Sequence, residues 1–177
     1  CDFNGDVQVQ SKKNWVITVA NLTHRKGHKQ YLGVIKNIVK DSPETNFLFL
    51  GYDNLNGKIQ KIIIKENLSS NVKYLGFQEN IKPFLKESSI FVLPSLYGEG
   101  CPTSVLEAFC YKLPVIAYKV DGIPELVTNN VDGMLINLGD EAALEIAIKD
   151  LLINPDKALE MGEKGYHKVL NNFSMES

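Results

Sequence analysis

The chain has 177 residues, 44% of them hydrophobic and 23% charged, with 19 Lys and Arg against 21 Asp and Glu. That describes one ordinary globular domain, large enough for a single core. The balance of charge argues against bulk attraction to nucleic acid or anionic lipid, and no apolar run reaches the ~18 residues of a membrane span.

Residues 1–14 read as linker: the start lacks the apolar stretch of a signal peptide. A first residue of Cys rather than Met suggests a segment of a longer protein. A β-rich run follows from Trp15 to Ala20, then a helix-period stretch from Gly27 to Lys40. Asn46 to Gly51 is a second apolar run, Lys58 to Leu68 a second helix and Val72 to Leu75 a third strand. Ile81 to Glu87 reads as a short helix, Ile90 to Leu93 as the fourth strand and Thr103 to Lys112 as a helix. Pro114 to Tyr118 is the fifth strand, Asp121 to Glu125 a turn into a proline-started helix, and Gly133 to Ile136 a sixth strand. Asp140 to Ile153 and Pro155 to Asn171 complete the pattern as helices. Leu144, Ile148, Leu151 and Leu152 make a core stripe on the first of these.

Strands separated by helices need crossover connections. The fold class is therefore α/β, a Rossmann-like, doubly wound, mainly parallel six-stranded sheet with helices on both faces, over residues 15–177. Ligands of such sheets bind beyond the carboxyl ends of the strands, where strand order reverses. Three loops matter: Asn21 to Gly27, Pro94 to Pro102 and Lys119 to Gly122. No Gly-x-Gly-x-x-Gly follows the first strand, so a simple NAD-binding reading falls away.

The loop before the Thr103 helix holds Glu99 between Gly98 and Gly100, and Glu107 follows on the helix. Acidic acceptors and unpaired helix amides at one point suit a ligand with both sugar hydroxyls and phosphate. Glu99 reads either as a ligand contact or as a loop acid at the helix start. Ser104 to Glu107 fits a Ser-x-x-Glu capping box, so spacing alone favours a cap for Glu107. Lys26, just before Gly27, can place a point charge over a phosphate, with Arg25 and His24 beside it. The other reading of Lys26 is a solvated surface lysine. His24 and His28 flank Gly27 and do not read as a metal pair. His167 reads as a surface residue and Cys101 as a small loop residue. Cys1, Cys101 and Cys110 contain no Cys-x-x-Cys pair. Their spacing signals neither a zinc site nor a disulfide framework, and a reducing cytosol is the simplest setting.

These residues together resemble the carboxy-terminal, donor-binding domain of retaining glycosyltransferases of the GT-B fold, family four, also called glycosyl transferases group 1. The resemblance rests on Glu99, Gly100 and Pro102 with Glu107 and Ala108, then Leu113 to Ile116, Asp121 to Glu125 and Gly133. Val19 to Gly27, Tyr74 to Phe77 and Ile90 to Ser95 extend it over most of the chain. It implies transfer of a sugar from a UDP- or GDP-type donor to an acceptor hydroxyl, in polysaccharide, lipopolysaccharide or glycolipid synthesis, with retention and with no cofactor or metal. Glu99 would meet donor-sugar hydroxyls, and Glu107 the ribose hydroxyls, which reverses the preference for a cap. Lys26 matches the lysine that contacts the diphosphate. Backbone amides of the stretch Gly100, Cys101, Pro102, Thr103, Ser104 and Val105 would meet sugar and phosphate oxygens. Phe77 falls where backbone groups meet the base.

Two departures stand out. Asn21 occupies the position where the family has an arginine five residues before the lysine, so Arg25 or a residue of another domain would have to compensate. Asp121 replaces a glycine and is expected to face outward, away from the diphosphate. The acceptor site belongs to an amino-terminal domain of the family that these residues do not contain. The stretch Asn172 to Glu176 resembles the kink where the last helix crosses back to that domain. The fragment alone is accordingly expected to bind donor but not turn it over. The resemblance also implies a cytoplasmic location, with peripheral association at the inner membrane face an option for the full protein. Two competing readings are a noncatalytic nucleotide-binding module and half of a nucleotide-sugar epimerase. A third, a paired-carboxylate glycosidase, needs Glu99 and Glu107 to flank one bond.

Overall fold

The computed structural model describes residues 12–173. Six strands form one sheet: β1 (Trp15–Val19), β2 (Asn46–Leu50), β3 (Val72–Gly76), β4 (Ile90–Leu93), β5 (Val115–Tyr118) and β6 (Gly133–Ile136). Their order is β3-β2-β1-β4-β5-β6, and every pairing is parallel. The inner strands read as continuous apolar runs because both faces are covered: β4 and β5 are buried at every position.

The helices are α1 (His28–Asp41), α2 (Lys58–Lys65), α3 (Lys82–Glu87), α4 (Thr103–Cys110), α5 (Ile123–Leu126), α6 (Glu141–Ile153) and α7 (Pro155–Phe173). α1 packs on α2 and α6, and α4 packs on α7. From β1 the chain winds outward through β2 to β3, then returns through α3 to β4 on the other side of β1. The order therefore reverses between β1 and β4, and the loops leaving these two strands diverge and open a crevice.

α2 and α4 end earlier than their periodicity predicts, and for one reason. Asn67 and Lys112 adopt left-handed φ angles of 56° and 54°. The amides of Leu68 and Leu113 then bond back to the carbonyls of Ile63 and Ala108, at 2.9 and 3.0 Å, closing each helix in a Schellman turn. A glycine usually marks this position, and neither helix has one there. Of the stretch expected to be linker, residues 1–11 lie outside the described residues. Lys12 is fastened to the domain by Nζ donating to the carbonyls of Tyr111 and Lys112 at 3.0 and 3.1 Å. The kink expected at Asn172 to Glu176 lies mostly outside the described residues as well.

The core is a single cluster running through the sheet, with Ile17 of β1 fully buried near its centre. Ile64, on the outer face of α2, is 68% exposed. Replacing Ile17 by Ala is expected to lower stability by about 2–5 kcal/mol in urea unfolding. Ile64→Ala is expected to change it by no more than ~0.5 kcal/mol. Equal losses at the two positions would contradict the placement of the core.

Candidate functional site

Between β1 and α1 the chain makes a short 3-10 turn, His24–Lys26, that ends on Gly27. Gly27 has φ 71°, and a Cβ there would lie 2.0 Å from the Pro94 carbonyl oxygen. Only glycine permits this contact, which brings the loop after β1 directly against the loop after β4. Leu96 N–H then donates to the Arg25 carbonyl at 2.7 Å, and Arg25 Nη1 donates to the Gly98 carbonyl at 2.5 Å.

The loop after β5 holds the same segment from the far side. Asp121 Oδ2 accepts from the amides of Gly98 and Glu99 at 2.5 and 3.0 Å. Gly122 N–H donates to the Glu99 carbonyl at 2.8 Å, and a Cβ on Gly122 would lie 1.9 Å from the Gly100 oxygen. Asp121 is exposed at its surface and stands outside the cavity wall, but its carboxylate is engaged as a clamp. The loop Lys119 to Gly122 thus positions the site rather than lining it.

Within this frame the Glu99 side chain is 4% exposed and forms an ion pair with Lys26, whose side chain is 13% exposed. The lysine is therefore not a solvated surface group, and Glu99 does not cap a helix. The pair borders a cavity of about 560 Å³ that spans the switch point. Nine of the residues singled out from the sequence line it: Asn21, Arg25, Lys26, Phe77, Glu99, Pro102, Thr103, Ser104 and Glu107.

The structure leaves Gly100, Cys101 and Val105 outside that wall. Cys101 is an exposed free thiol. Val105 turns its side chain into the core, and its amide donates to the Pro102 carbonyl at 3.0 Å, so that amide is already used. Thr103 and Ser104 occupy the exposed first turn of α4, whose amides face no capping side chain. The capping box does not form: Pro102 is the N-cap, which makes Ser104 the second residue of the helix and puts it out of reach of that motif. Glu107 is left open to the cavity with no hydrogen-bond partner among the described residues, and burial raises its pKa.

Asn21 makes a contact that its place in the family pattern does not suggest. Its Oδ1 accepts from the Tyr52 amide at 3.0 Å and ties the loop after β1 to the loop after β2. Sequence reasoning missed the walls contributed by Thr23, Gly51, Asn54, Gln78 and Glu79. Thr23 stood inside a loop already singled out, and its Oγ1 is buried without a hydrogen-bond partner among the described residues. The others follow β2 and β3, and only the strand order brings them to the crevice. His28 is fully buried edge-on to Phe49, at 5.1 Å and 75°. Burial first, and the Lys26 charge second, push its pKa down to about 4. Among the described residues no three His, Cys, Asp or Glu are grouped so as to hold a metal.

Comparison with known proteins gives a consistent result. The profile of the family described as "Glycosyl transferases group 1" matches residues 3–168. The amylovoran biosynthesis glycosyltransferase AmsK of Erwinia amylovora is 35% identical over 136 residues, 73% of this chain and 33% of that protein. The UDP-Gal:alpha-D-GlcNAc-diphosphoundecaprenol alpha-1,3-galactosyltransferase of Escherichia coli is 31% identical over 169 residues, 93% of this chain and 43% of that one. The chain thus spans less than half the length of either relative. In fold it matches the crystal structure of the C-terminal domain of a glycosyl transferase group 1 family protein (LpcC) from Francisella tularensis, with a TM-score of 0.82 and 18% identity. That match covers 93% of this chain and 89% of the other.

The ion pair carries a stability prediction of its own. Lys26→Met leaves the Glu99 carboxylate buried and uncompensated, at an expected cost of about 3 kcal/mol in urea unfolding. Adding Glu99→Gln to Lys26→Met should recover most of that loss, because both charges are then gone. Losses that simply add would contradict a coupled pair.

Proposed function

Because this chain belongs to the group 1 glycosyl transferases, we propose that it is the donor-binding domain of a retaining glycosyltransferase. The observation that carries the proposal is one cavity joining the Lys26–Glu99 pair, the α4 N-terminus and Glu107. A nucleotide-diphosphate sugar needs positive charge, hydroxyl acceptors and exposed amides together in one place.

The diphosphate lies over the first turn of α4, where the amides of Thr103 and Ser104 and the positive end of the helix dipole favour negative charge. Lys26 supplies a full positive charge to it. Arg25 supplies the second cation that Asn21 lacks, from a guanidinium already bordering the cavity and braced on Gly98. Glu99, held beside Lys26, accepts from the sugar hydroxyls. Glu107 accepts from the two ribose hydroxyls, a geometry suited to a carboxylate with two free oxygens.

Chemistry begins as the bond between the anomeric carbon and the diphosphate oxygen breaks. Negative charge grows on the departing diphosphate, and Lys26, Arg25 and the helix amides stabilise it without a metal or other cofactor. The acceptor hydroxyl forms the new glycosidic bond on the face that the diphosphate leaves and gives its proton to the departing diphosphate oxygen, so configuration is retained. The acceptor site lies in a domain beyond this chain, as expected for a chain spanning less than half of its relatives. The relatives' names, one an amylovoran biosynthesis glycosyltransferase and one a galactosyltransferase acting on a diphosphoundecaprenol-linked sugar, support sugar transfer in glycan synthesis. The full protein would work in the cytoplasm, on acceptors presented at the inner face of the membrane.

Calorimetry tests the reading. The chain is expected to bind a UDP- or GDP-type nucleotide, and Lys26→Ala or Glu107→Ala to weaken that binding by about tenfold or more. Absence of binding at millimolar nucleotide would sink the donor-domain assignment. The pH dependence follows from Glu107. Its raised pKa means that it protonates, on acidification, before an ordinary glutamate near 4.3. A protonated Glu107 loses acceptor capacity, so affinity should start to fall above that ordinary value. Glu107→Gln should remove this part of the pH profile, and an unchanged profile would contradict the ribose role.

A further inference from the structure

The balanced charge of the whole chain conceals a segregation of its lysines. Right-handed crossovers running outward from β1 to β3 set α1 and α2 side by side on one face of the sheet, and the return to β4 sets α3 on the other. α1 carries Lys29, Lys36 and Lys40, and α2 carries Lys58, Lys61 and Lys65, all of them exposed. At about 3.6 residues per turn each trio spans about 60° or less of its helix, so each is a single stripe.

The contacts of the two helices fix how the stripes are turned. Lys36 Nζ meets Glu66, the C-cap of α2, at 2.6 Å, so the α1 stripe runs along the shoulder that faces α2. The opposite shoulder of α1 is committed to α6: Asn37 donates to Glu145 at 3.0 Å, and Asp41 accepts from Lys149 at 2.7 Å. On α2, Ile59 and Ile63 are buried, which turns Lys58, Lys61 and Lys65 outward beside the α1 stripe.

Among the described residues Lys29, Lys40, Lys58, Lys61 and Lys65 form no salt bridge. Every lysine of α6 and α7 does: Lys149 pairs with Asp41 and Glu145, Lys157 with Asp150, Lys164 with Glu160 and Lys168 with Asp132. Uncompensated positive charge is therefore gathered on one face of a chain whose formal net charge is -2. Ile64 stands 68% exposed between Lys61 and Lys65 in sequence. Exposed aromatic rings, which stack on bases, are absent from α1 and α2 among the described residues. Clustered lysines with an exposed aliphatic side chain suit anionic lipid headgroups better than nucleic acid.

We propose that the α1–α2 face is a contact surface for an anionic lipid bilayer, with the two lysine stripes over the headgroup phosphates and Ile64 entering the interface. It uses no residue of the cavity wall and stands apart from the donor-binding reading. The two are nonetheless adjacent in space, since α1 begins just after Lys26 and α2 just after Asn54, both of which line the cavity. A chain docked by this face holds the mouth of the crevice at the level of the membrane surface, where an acceptor anchored in lipid is presented.

The test is co-sedimentation of the chain with vesicles of phosphatidylglycerol mixed with phosphatidylcholine, and with vesicles of phosphatidylcholine alone. The chain is expected to bind the first and not the second, and to release as salt is raised. Replacing Lys58, Lys61 and Lys65 together by Gln should weaken binding by roughly 50- to 100-fold, at about fivefold for each lysine. Ile64→Ala should weaken it by roughly 3- to 10-fold. The same neutralisation of Lys86, Lys157 and Lys164, on α3 and α7, should leave it unchanged. UDP affinity, measured by calorimetry, should be the same in the chain and in both triple variants. Equal binding to phosphatidylcholine alone, equal losses from the two triple variants, or no vesicle binding at low salt would overturn the proposal. Tighter binding to single-stranded RNA than to the vesicles, with Ile64→Ala without effect, would overturn it in favour of nucleic acid. A chain that binds anionic vesicles in this pattern but fails to bind UDP would uphold the lipid surface and sink the donor reading instead.

Discussion

The contact between Lys26 and Glu99 is the constraint around which this domain is organised. One residue leaves β1 and the other leaves β4, and these strands are neighbours only because the strand order reverses between them. Bringing two charges into a mostly buried contact demands accurate placement of both loops. Gly27 does this on the β1 side by lying against Pro94, and Gly122 does it on the β5 side by lying against Gly100. Asp121 and Arg25 then fix the intervening segment through its amides and the Gly98 carbonyl. The site is rigid because four separate contacts determine one short loop.

Much of this fold was legible in the residues themselves. The inner strands are short, β-branched or aromatic runs without breaks, and the helices between them show clear periodicity, so order and type of element follow directly. The ends of α2 and α4 were not legible, since Asn67 and Lys112 take a backbone conformation that their identities do not announce. Strand order is also silent in sequence. An alternation of strands and helices requires crossovers, but does not say where the winding turns back.

The same limit applies to the site. Lys26, Glu99 and the α4 start stood out because each lies in a loop whose chemistry can be read locally, whereas Glu107 was assigned to the ligand only through the family resemblance. Local reading misjudged Glu107 as a cap, because the helix begins at Thr103 and not after Ser104. Gln78, Glu79, Gly51 and Asn54 carry no such motif, and they reach the cavity only through the adjacency of β3, β2 and β1. Asn21 looked like a lost arginine. Its bond to the Tyr52 amide joins two loops 31 residues apart, which no local pattern reveals. Departures from a family pattern are therefore informative when the contact that replaces the missing one can be traced.

On the proposed reading a single donor lies across the carboxyl ends of four strands, with its phosphates near Lys26 and its base near Phe77. The most direct test is an amide-resolved NMR titration of the chain with UDP. The account predicts shifts in three separated segments at once: residues 21–27, 76–79 and 99–107, with the exposed helix surfaces around Ile64 and Ile153 silent. Shifts confined to one of these segments, or concentrated away from the β1–β4 crevice, would contradict it.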